Sequence, residues 1–260
     1  MSDSASSRKT ACVTAITSGK GGVGKTFVTA NLAAALARQG QRVLVLDADL
    51  GLANLDVVLN LYPKITLHDV FKGDAKLEDA LLPAPGGFTV LLAGSGLVEY
   101  SRMTGTVRDQ LQAIVSDVGP RFDHVLLDTG AGISDVVLYT VSLARRVMIV
   151  ATPEPTSLTD AYATIKVLAT TQGRRDIQLV VNQVRRPGDG RAVHRQLQQV
   201  IERYVNPGAT APVQLEMMAE LPLDAGVRES VLRRELLMLK EPGSPVSTAL
   251  GTLATRVIDA

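Results

Sequence analysis

Eight residues near the start of the chain restrict its fold more than any other segment. The sequence Gly-Lys-Gly-Gly-Val-Gly-Lys-Thr, residues 19–26, follows an apolar run and precedes a helix predicted over Thr26–Gln39. Glycines let a loop turn its backbone N–H groups inward around an anion, and the start of a helix adds partial positive charge. This order of strand, glycine-rich loop and helix predicts a phosphate-binding loop in an α/β domain.

Short apolar runs alternate with helical patterns along the rest of the chain. Most runs are continuous rather than alternating, which is typical of strands buried on both faces of a parallel sheet. The predicted strands are Ala11–Thr17, Arg42–Leu46, Thr89–Leu92, His124–Leu127, Arg146–Ala151, Gln178–Val184 and Gln214–Glu220. The later predicted helices are Val107–Val118, Ser157–Thr171, Arg191–Tyr204, Gly226–Leu239 and Pro245–Ile258.

This order of elements predicts right-handed crossovers and a doubly wound, mostly parallel sheet flanked by helices. Together with the loop at residues 19–26, it predicts an α/β protein with the P-loop NTPase fold in a single domain. We expect the domain to span residues 11–260 and to follow a flexible, polar tail over residues 1–10.

Composition excludes several classes of protein. Cys12 is the only cysteine, so the chain can form no internal disulfide and no cysteine-based zinc or iron–sulfur site. No apolar stretch approaches the ~20 residues of a membrane span, and we expect a cytoplasmic protein. The formal net charge of +1 argues neither for nor against a nucleic-acid partner.

The glycine-rich loop carries two side chains with defined roles in phosphate binding. Lys25 is expected to reach the β- and γ-phosphates of a nucleotide, and the Thr26 hydroxyl is expected to bind Mg²⁺. Backbone N–H groups of the loop would surround the phosphates. The candidate binding residues here are Gly19, Lys20, Gly21, Gly22, Val23, Gly24, Lys25, Thr26 and Phe27.

Acidic residues follow two of the predicted strands, at the sheet edge where open α/β sheets bind ligands. The spacing of Asp47 and Asp49 places both carboxylates on one side of an extended chain, facing a magnesium ion and an attacking water. Asp128 follows another apolar strand, as an outer-shell ligand of Mg²⁺ does. Gly132 can bring a backbone N–H to the γ-phosphate. The candidate metal residues are therefore Thr26, Asp47, Asp49 and Asp128.

A second lysine, Lys20, lies inside the loop, although Lys25 already serves the phosphates. With the sequence Lys-Gly-Gly-Val-Gly-Lys-Thr, the chain resembles the deviant Walker A family, the MinD/ParA-like ATPases. The resemblance implies ATP and Mg²⁺ as cofactors and an ATP-dependent homodimer, in which Lys20 acts on the nucleotide of the partner subunit. It also implies slow hydrolysis of ATP to ADP and phosphate. Lys20, Lys25 and Asp49 would be the catalytic residues, with Asp49 positioning the attacking water.

The resemblance extends over nearly the whole chain and implies further contacts. Asp47 would support the metal through bound water, and Glu154 would touch the ribose of the partner subunit's nucleotide. Asp160 would lie at the dimer interface. Alternatively, Glu154 and Asp160 have no role at an interface, and they cap a helix or place negative charge in its first turn. The positions that match the family's adenine contacts are Asn182, Pro222 and Asp224.

Within the family, residues 47–56 and residues 66–70 resemble the flagellar-number regulators (FlhG, also called FleN), and a turn at residues 93–96 agrees with them. This closer resemblance implies control of flagellar number or placement. The dimer would capture a partner protein such as a flagellar transcriptional activator or an assembly GTPase.

Several related functions stay open as alternatives. A ParA-type positioning ATPase would bind DNA through the basic segment 185–191 with Arg195 and Arg203, but acidic residues interrupt this segment and DNA is not favoured. A MinD-type cell-division regulator would use a basic amphipathic terminal helix, whereas residues 247–260 contain one basic residue. We therefore predict a terminal core helix. No direct membrane helix is evident, and recruitment to the membrane or cell pole would need a partner. A binding module without turnover is a further alternative.

Overall fold

The computed structural model describes residues 10–51, 53–94 and 103–260, and within these ranges eight strands form one sheet. In chain order the strands are β1 (Cys12–Ser18), β2 (Val43–Ala48), β3 (Leu81–Pro83), β4 (Thr89–Leu91), β5 (His124–Ala131), β6 (Arg146–Ala151), β7 (Asp176–Val184) and β8 (Gln214–Pro222). Their order across the sheet is β3-β4-β2-β5-β1-β6-β7-β8. β3 and β4 are antiparallel, and every other neighbouring pair is parallel.

Helices cover both faces of the sheet. In chain order they are α1 (Lys25–Arg38), α2 (Leu55–Leu59), α3 (Leu67–Lys72), α4 (Leu77–Ala80), α5 (Gly105–Val118), α6 (Asp135–Ser142), α7 (Pro155–Thr171), α8 (Asp189–Tyr204), α9 (Ala225–Arg233), α10 (Leu237–Lys240) and α11 (Pro245–Asp259). Each face has its own core: in β2, Leu44 and Leu46 pack into one core, and Val43 and Val45 into the other. This explains the continuous apolar runs in the sequence.

The predicted α/β class, the single domain and the mostly parallel sheet are confirmed. Five short elements escaped the sequence analysis, namely α2, α3, α4, α6 and β3. Segments of three to eight residues show too little periodicity to be recognised. Residues 1–9 of the predicted tail, Leu52, and the last two residues of the turn at 93–96 lie outside the described ranges.

The single helix predicted over Gly226–Leu239 is wrong, because the chain divides it into α9 and α10. Arg234 has a φ of +56°, in the left-handed region, and ends α9. Leu236 and Met238 are then buried beside α1, and the backbone N–H of Met238 donates to the Asn31 side chain at 3.0 Å. Burial of these side chains outweighs the continuation of one helix.

The last helix, α11, completes the core beside α1 and β8. Val246, Leu250 and Leu253 are fully buried, and the Ser244 hydroxyl caps the first turn. The prediction of a terminal core helix is therefore confirmed. Among the helices in the described ranges, none is both long enough and apolar enough to cross a bilayer.

The connections of the sheet diverge at β1, and this positions the site. From β1 the chain passes through α1 to β2, whereas β5, which lies between β2 and β1, continues through α6 to β6 on the far side of β1. α1 packs on one face of the sheet and α6 on the other. A crevice therefore opens at the carboxyl ends of β1, β2 and β5, where such sheets bind ligands.

Candidate functional site

The glycine-rich loop forms a tight turn between β1 and α1. Gly24 caps the start of α1 with a φ of +95°, which an L side chain rarely adopts. A Cβ at Gly24 would also collide with the side-chain nitrogen of Asn182. That nitrogen donates a hydrogen bond of 2.8 Å to the Val23 carbonyl, so β7 supports the loop from behind. The loop thus leaves the N-terminus of α1 open to the crevice, as anion binding requires.

Lys25 and Asp128 are a buried pair of opposite charge in the site. Burial raises the pKa of Asp128 to about 6, although hydrogen bonds from Thr26 and Thr29 and the charge of Lys25 oppose this rise. Burial lowers the pKa of Lys25, against the attraction of Asp128 and Asp49. The two charges therefore compensate only part of each other's burial. A phosphate at Lys25 and a cation near Asp128 would compensate more of it.

Asp49 lines the crevice, whereas the Asp47 side chain is buried near the end of β2. The Asp47 carboxylate is buried and accepts hydrogen bonds from the backbone N–H groups of Asp49 at 3.2 Å and Leu55 at 3.3 Å. Burial and the charge of Asp128 raise the pKa of Asp47 well above its ordinary value. The shared orientation of the pair towards a magnesium ion and metal support by Asp47 through water both stay predictions.

Two adjoining clefts meet at the loop. The larger, about 700 Å³, lies between the loop, the ends of β2 and β5, and the start of α6. The predicted site residues that line it are Gly21, Gly22, Gly24, Lys25, Thr26, Phe27 and Asp49. The smaller, about 360 Å³, lies between the loop, the end of β7 and α9, and its predicted lining residues are Gly24, Phe27, Asn182, Pro222 and Asp224. Gly24 and Phe27 belong to both clefts, so the phosphate-side and adenine-side predictions fall in one continuous site.

The oxygen donors around Lys25 fit a magnesium ion that is bound together with a nucleotide. Among the residues that the structure describes, no three Asp, Glu, His or Cys side chains converge closely enough to hold a metal ion alone. Thr26 hydrogen-bonds to Asp128, and these two residues would hold Mg²⁺ together with phosphate oxygens and water. A cation here would also offset the burial that raises the pKa of Asp128.

Gly132 lies outside both clefts. Its backbone N–H donates to the Ser18 carbonyl at 2.8 Å, and its φ of +89° allows this turn after β5. Gly130 and Ala131 line the larger cleft instead. In this structure the Gly132 N–H is bonded to Ser18. That hydrogen bond would have to break before the N–H could make its predicted contact with a γ-phosphate.

Lys20 also lies outside both clefts, at the start of α7. Its ammonium donates to Glu154 Oε2 at 3.2 Å and to Thr156 Oγ1 at 2.9 Å. Gly19 packs directly against the backbone of Asp160 in α7. The structure thus brings Gly19, Lys20, Glu154 and Asp160, predicted from distant segments, into one surface.

Three features of the site escaped the sequence analysis. Thr29 lies one helical turn after Lys25, and its hydroxyl is 3.1 Å from Asp128. The spacing of one turn between Lys25 and Thr29 could have indicated this residue from the sequence. Thr156 contacts Lys20, a residue 136 positions away, and no local pattern could indicate this contact. Val231 lines both clefts from α9, and no local pattern could indicate this because the contact depends on the tertiary fold.

The glycine-rich loop at the start of α1, the buried lysine and the carboxylates at the ends of two neighbouring strands together define a P-loop nucleotide-binding protein. A family model described as the CobQ/CobB/MinD/ParA nucleotide binding domain matches residues 14–237. The chain belongs to this family, and the resemblance to MinD/ParA-like ATPases is confirmed.

Two relatives agree with the flagellar subgroup. The chain is 40% identical over 245 residues to the antiactivator FleN of Pseudomonas aeruginosa, which covers 94% of this chain and 85% of FleN. It is 32% identical over 242 residues to the flagellum site-determining protein YlxH of Helicobacter pylori, covering 92% of this chain and 79% of YlxH.

Solved structures of MinD proteins share the fold. The septum site-determining protein MinD of Pyrococcus horikoshii, complexed with Mg-ADP, superposes with a TM-score of 0.76 at 29% identity, covering 94% of this chain and 95% of that one. The MinC:MinD cell division complex of Aquifex aeolicus gives a TM-score of 0.77 at 28% identity, covering 96% of each chain.

Proposed function

We propose that this protein is an ATP-dependent molecular switch that forms a homodimer around ATP and Mg²⁺, hydrolyses ATP slowly and captures a flagellar partner protein. The observation that carries the proposal is the separation of the two loop lysines. Lys25 is buried in the larger cleft, whereas the Lys20 ammonium lies on an exposed surface beside Glu154. A lysine that the chain's own cleft does not use is available to a second subunit.

Within one subunit, catalysis would depend on positioning and electrostatics. Backbone N–H groups of the loop and Lys25 would bind the β- and γ-phosphates. Mg²⁺, when bound near Thr26 and Asp128, neutralises phosphate charge. Asp49 lines the cleft above the backbone of Gly130, where a Cβ would lie 3.4 Å from the Asp49 carboxylate. This carboxylate would orient the attacking water, and Lys20 of the second subunit would stabilise the charge that develops on the phosphates.

The test is the molecular mass in solution with ADP and with ATP plus Mg²⁺. We expect the wild type to be a monomer with ADP and a dimer with ATP. Asp49→Ala should bind ATP without hydrolysing it and stay dimeric, and Lys20→Ala should stay monomeric. A mass that never changes with nucleotide would refute the switch, and Lys20 would then be an ordinary loop lysine.

The proposed partner is a flagellar transcriptional activator or an assembly GTPase. The similarity to FleN, an antiactivator, and to YlxH, a flagellum site-determining protein, supports this choice. Purified candidates from both classes should bind immobilised Asp49→Ala loaded with ATP and should not bind Lys20→Ala. Equal binding to both variants would show that partner binding does not depend on the nucleotide state.

DNA is the second candidate partner, because α8 and the loop before it carry exposed arginines. Arg191, Arg195 and Arg203 are exposed on α8, and Arg185 and Arg186 precede them in an exposed loop. DNA binding would require ATP and would weaken steeply with salt. ATP-dependent binding that Arg191→Glu removes would favour a ParA-type role. A MinD-type role in cell division stays an alternative, and it would need a membrane contact other than the buried face of α11.

A further inference from the structure

Two pairs of adjacent arginines lie at the amino-terminal edge of the sheet. They occupy residues 145–146, at the start of β6, and residues 174–175, just before β7. β6 and β7 are parallel and pair Met148 with Gln178, so the two segments meet at the same edge of the sheet. The nucleotide crevice opens at the carboxyl ends of the parallel strands, so a ligand bound at the arginines would not compete with a nucleotide.

One arginine of each pair serves the fold. Arg146 Nη1 donates to the Val257 carbonyl in α11 at 3.0 Å. Arg174 Nη2 donates to carbonyls at the end of α6, including Val141 at 2.9 Å and Ala144 at 2.7 Å, where a cation is favourable. Burial lowers the pKa of Arg174, so a negative charge nearby would stabilise its protonated form.

The other arginine of each pair has a different environment. In the part of the chain that the structure describes, the side chains of Arg145 and Arg175 make no ion pair and no hydrogen bond. Arg145 is exposed and Arg175 is half-buried. Both line a pocket of about 550 Å³ between the two loops. Two guanidinium groups without partners therefore lie at one concave surface.

The lining of this pocket defines the ligand it can take. The described lining residues are all polar, charged or glycine, namely Ser142, Arg145, Gln172, Gly173, Arg174, Arg175 and Asp176. One carboxylate among them faces three guanidinium groups, which favours an anion over a cation or an apolar group. A planar guanidinium donates two parallel hydrogen bonds to phosphate oxygens, and the volume is that of a small-molecule pocket.

We propose that Arg145 and Arg175 form a second anion site, which binds a phosphate group of a ligand at the edge of the sheet opposite the nucleotide. Arg174 positions the site, because its bonds to the end of α6 hold the loop that carries Arg145. The phosphate could belong to a soluble molecule or to a lipid head group. The site does not depend on the proposed switch, since it uses none of the residues of the nucleotide crevice.

The experiment is a calorimetric titration with inorganic pyrophosphate at about 0.15 M salt, which screens distant charges. Lys25→Ala is the parent, because it lacks the lysine of the phosphate loop, and the wild type saturated with ADP is a second parent. Arg145→Gln/Arg175→Gln should weaken pyrophosphate binding about tenfold or more in both. The control is Lys64→Gln/Lys76→Gln, which removes the same charge at exposed positions outside the pocket and should leave the affinity unchanged.

The results separate a built site from general attraction and from the nucleotide site. If neither parent binds pyrophosphate, or if the arginine and lysine variants weaken it equally, the second site is overturned and the proposed switch is unaffected. If the wild type without ADP binds no more pyrophosphate than Lys25→Ala, the phosphate loop fails as an anion site while the arginine site stands.

A second measurement identifies the source of the phosphate. Vesicles that contain phosphatidylglycerol are sedimented with Lys25→Ala and with the same protein carrying Arg145→Gln/Arg175→Gln. Cosedimentation that the arginine variant loses would assign the site to a lipid head group. Pyrophosphate binding without cosedimentation would assign it to a soluble ligand.

Discussion

At the scale of single residues, Asn182 supports the phosphate loop from its position on β7. It is predicted to contact adenine and lines the smaller cleft, yet its nitrogen donates to the Val23 carbonyl at 2.8 Å. Its oxygen accepts from the backbone N–H of Gln183 at 2.9 Å. The first hydrogen bond joins the phosphate loop to β7, and the second, within β7, fixes the orientation of the amide. We therefore expect Asn182 to affect phosphate binding as well as base binding.

The matching prediction is that Asn182→Ala weakens binding of ATP and of inorganic tripolyphosphate alike, each by about tenfold, because the Val23 carbonyl loses its donor and the loop loosens. Calorimetric titration of both ligands measures this. Pro222→Ala is the control, since Pro222 lines the same cleft and should leave tripolyphosphate affinity unchanged. An unchanged tripolyphosphate affinity in Asn182→Ala would show that Asn182 acts on the base alone.

Asp128 predicts a pH dependence of stability in the nucleotide-free protein. Folding raises its pKa from 3.8 to about 6, mainly through burial, so the folded chain retains the proton more strongly than the unfolded chain. The resulting destabilisation is absent below about pH 4 and complete above about pH 6, where it is on the order of 2–3 kcal/mol.

Urea unfolding from pH 5 to pH 7.5 checks this prediction. The wild type should lose more stability over this range than Asp128→Asn, which has no carboxyl group to ionise. Parallel pH profiles for the two proteins would contradict the raised pKa of Asp128.

At the scale of elements, the sequence predicts what is local and misses what depends on distant packing. The strand, loop and helix around Lys25 are recognisable because their signals lie within one short segment. The break at Arg234 is not, because it follows from burial of Leu236 and Met238 beside α1. The contact between Lys20 and Thr156 joins residues 136 positions apart, and only the packing of the loop on α7 creates it.

The terminal helix carries a prediction at this scale. Leu250→Ala in α11 should destabilise the protein by about 2–5 kcal/mol, because a fully buried side chain leaves a cavity between α11 and the sheet. Denaturant unfolding measures the change. Thr252→Ala, at an exposed position of the same helix, should change stability by less than about 0.5 kcal/mol. A small effect of Leu250→Ala would mean that α11 is not part of the core.

At the scale of the whole molecule, one chain supplies a nearly complete nucleotide site and holds one candidate catalytic residue outside it. Lys25 and Asp49 line the larger cleft, while Lys20 is bound to Glu154 at the start of α7. We therefore propose that each working site is divided between two subunits. Asp49 would act on the nucleotide of its own chain, and Lys20 would act on the nucleotide of the other.

Mixing two inactive variants tests this division most directly. Lys20→Ala and Asp49→Ala should each hydrolyse ATP far more slowly than the wild type. In a mixed dimer, the subunit that carries Lys20→Ala keeps its own Asp49 and receives Lys20 from the other subunit, so one complete site forms. We predict that phosphate release reappears on mixing and rises with total protein concentration. If the mixture is as inactive as its two components, Lys20 does not act across a dimer and the central claim is wrong.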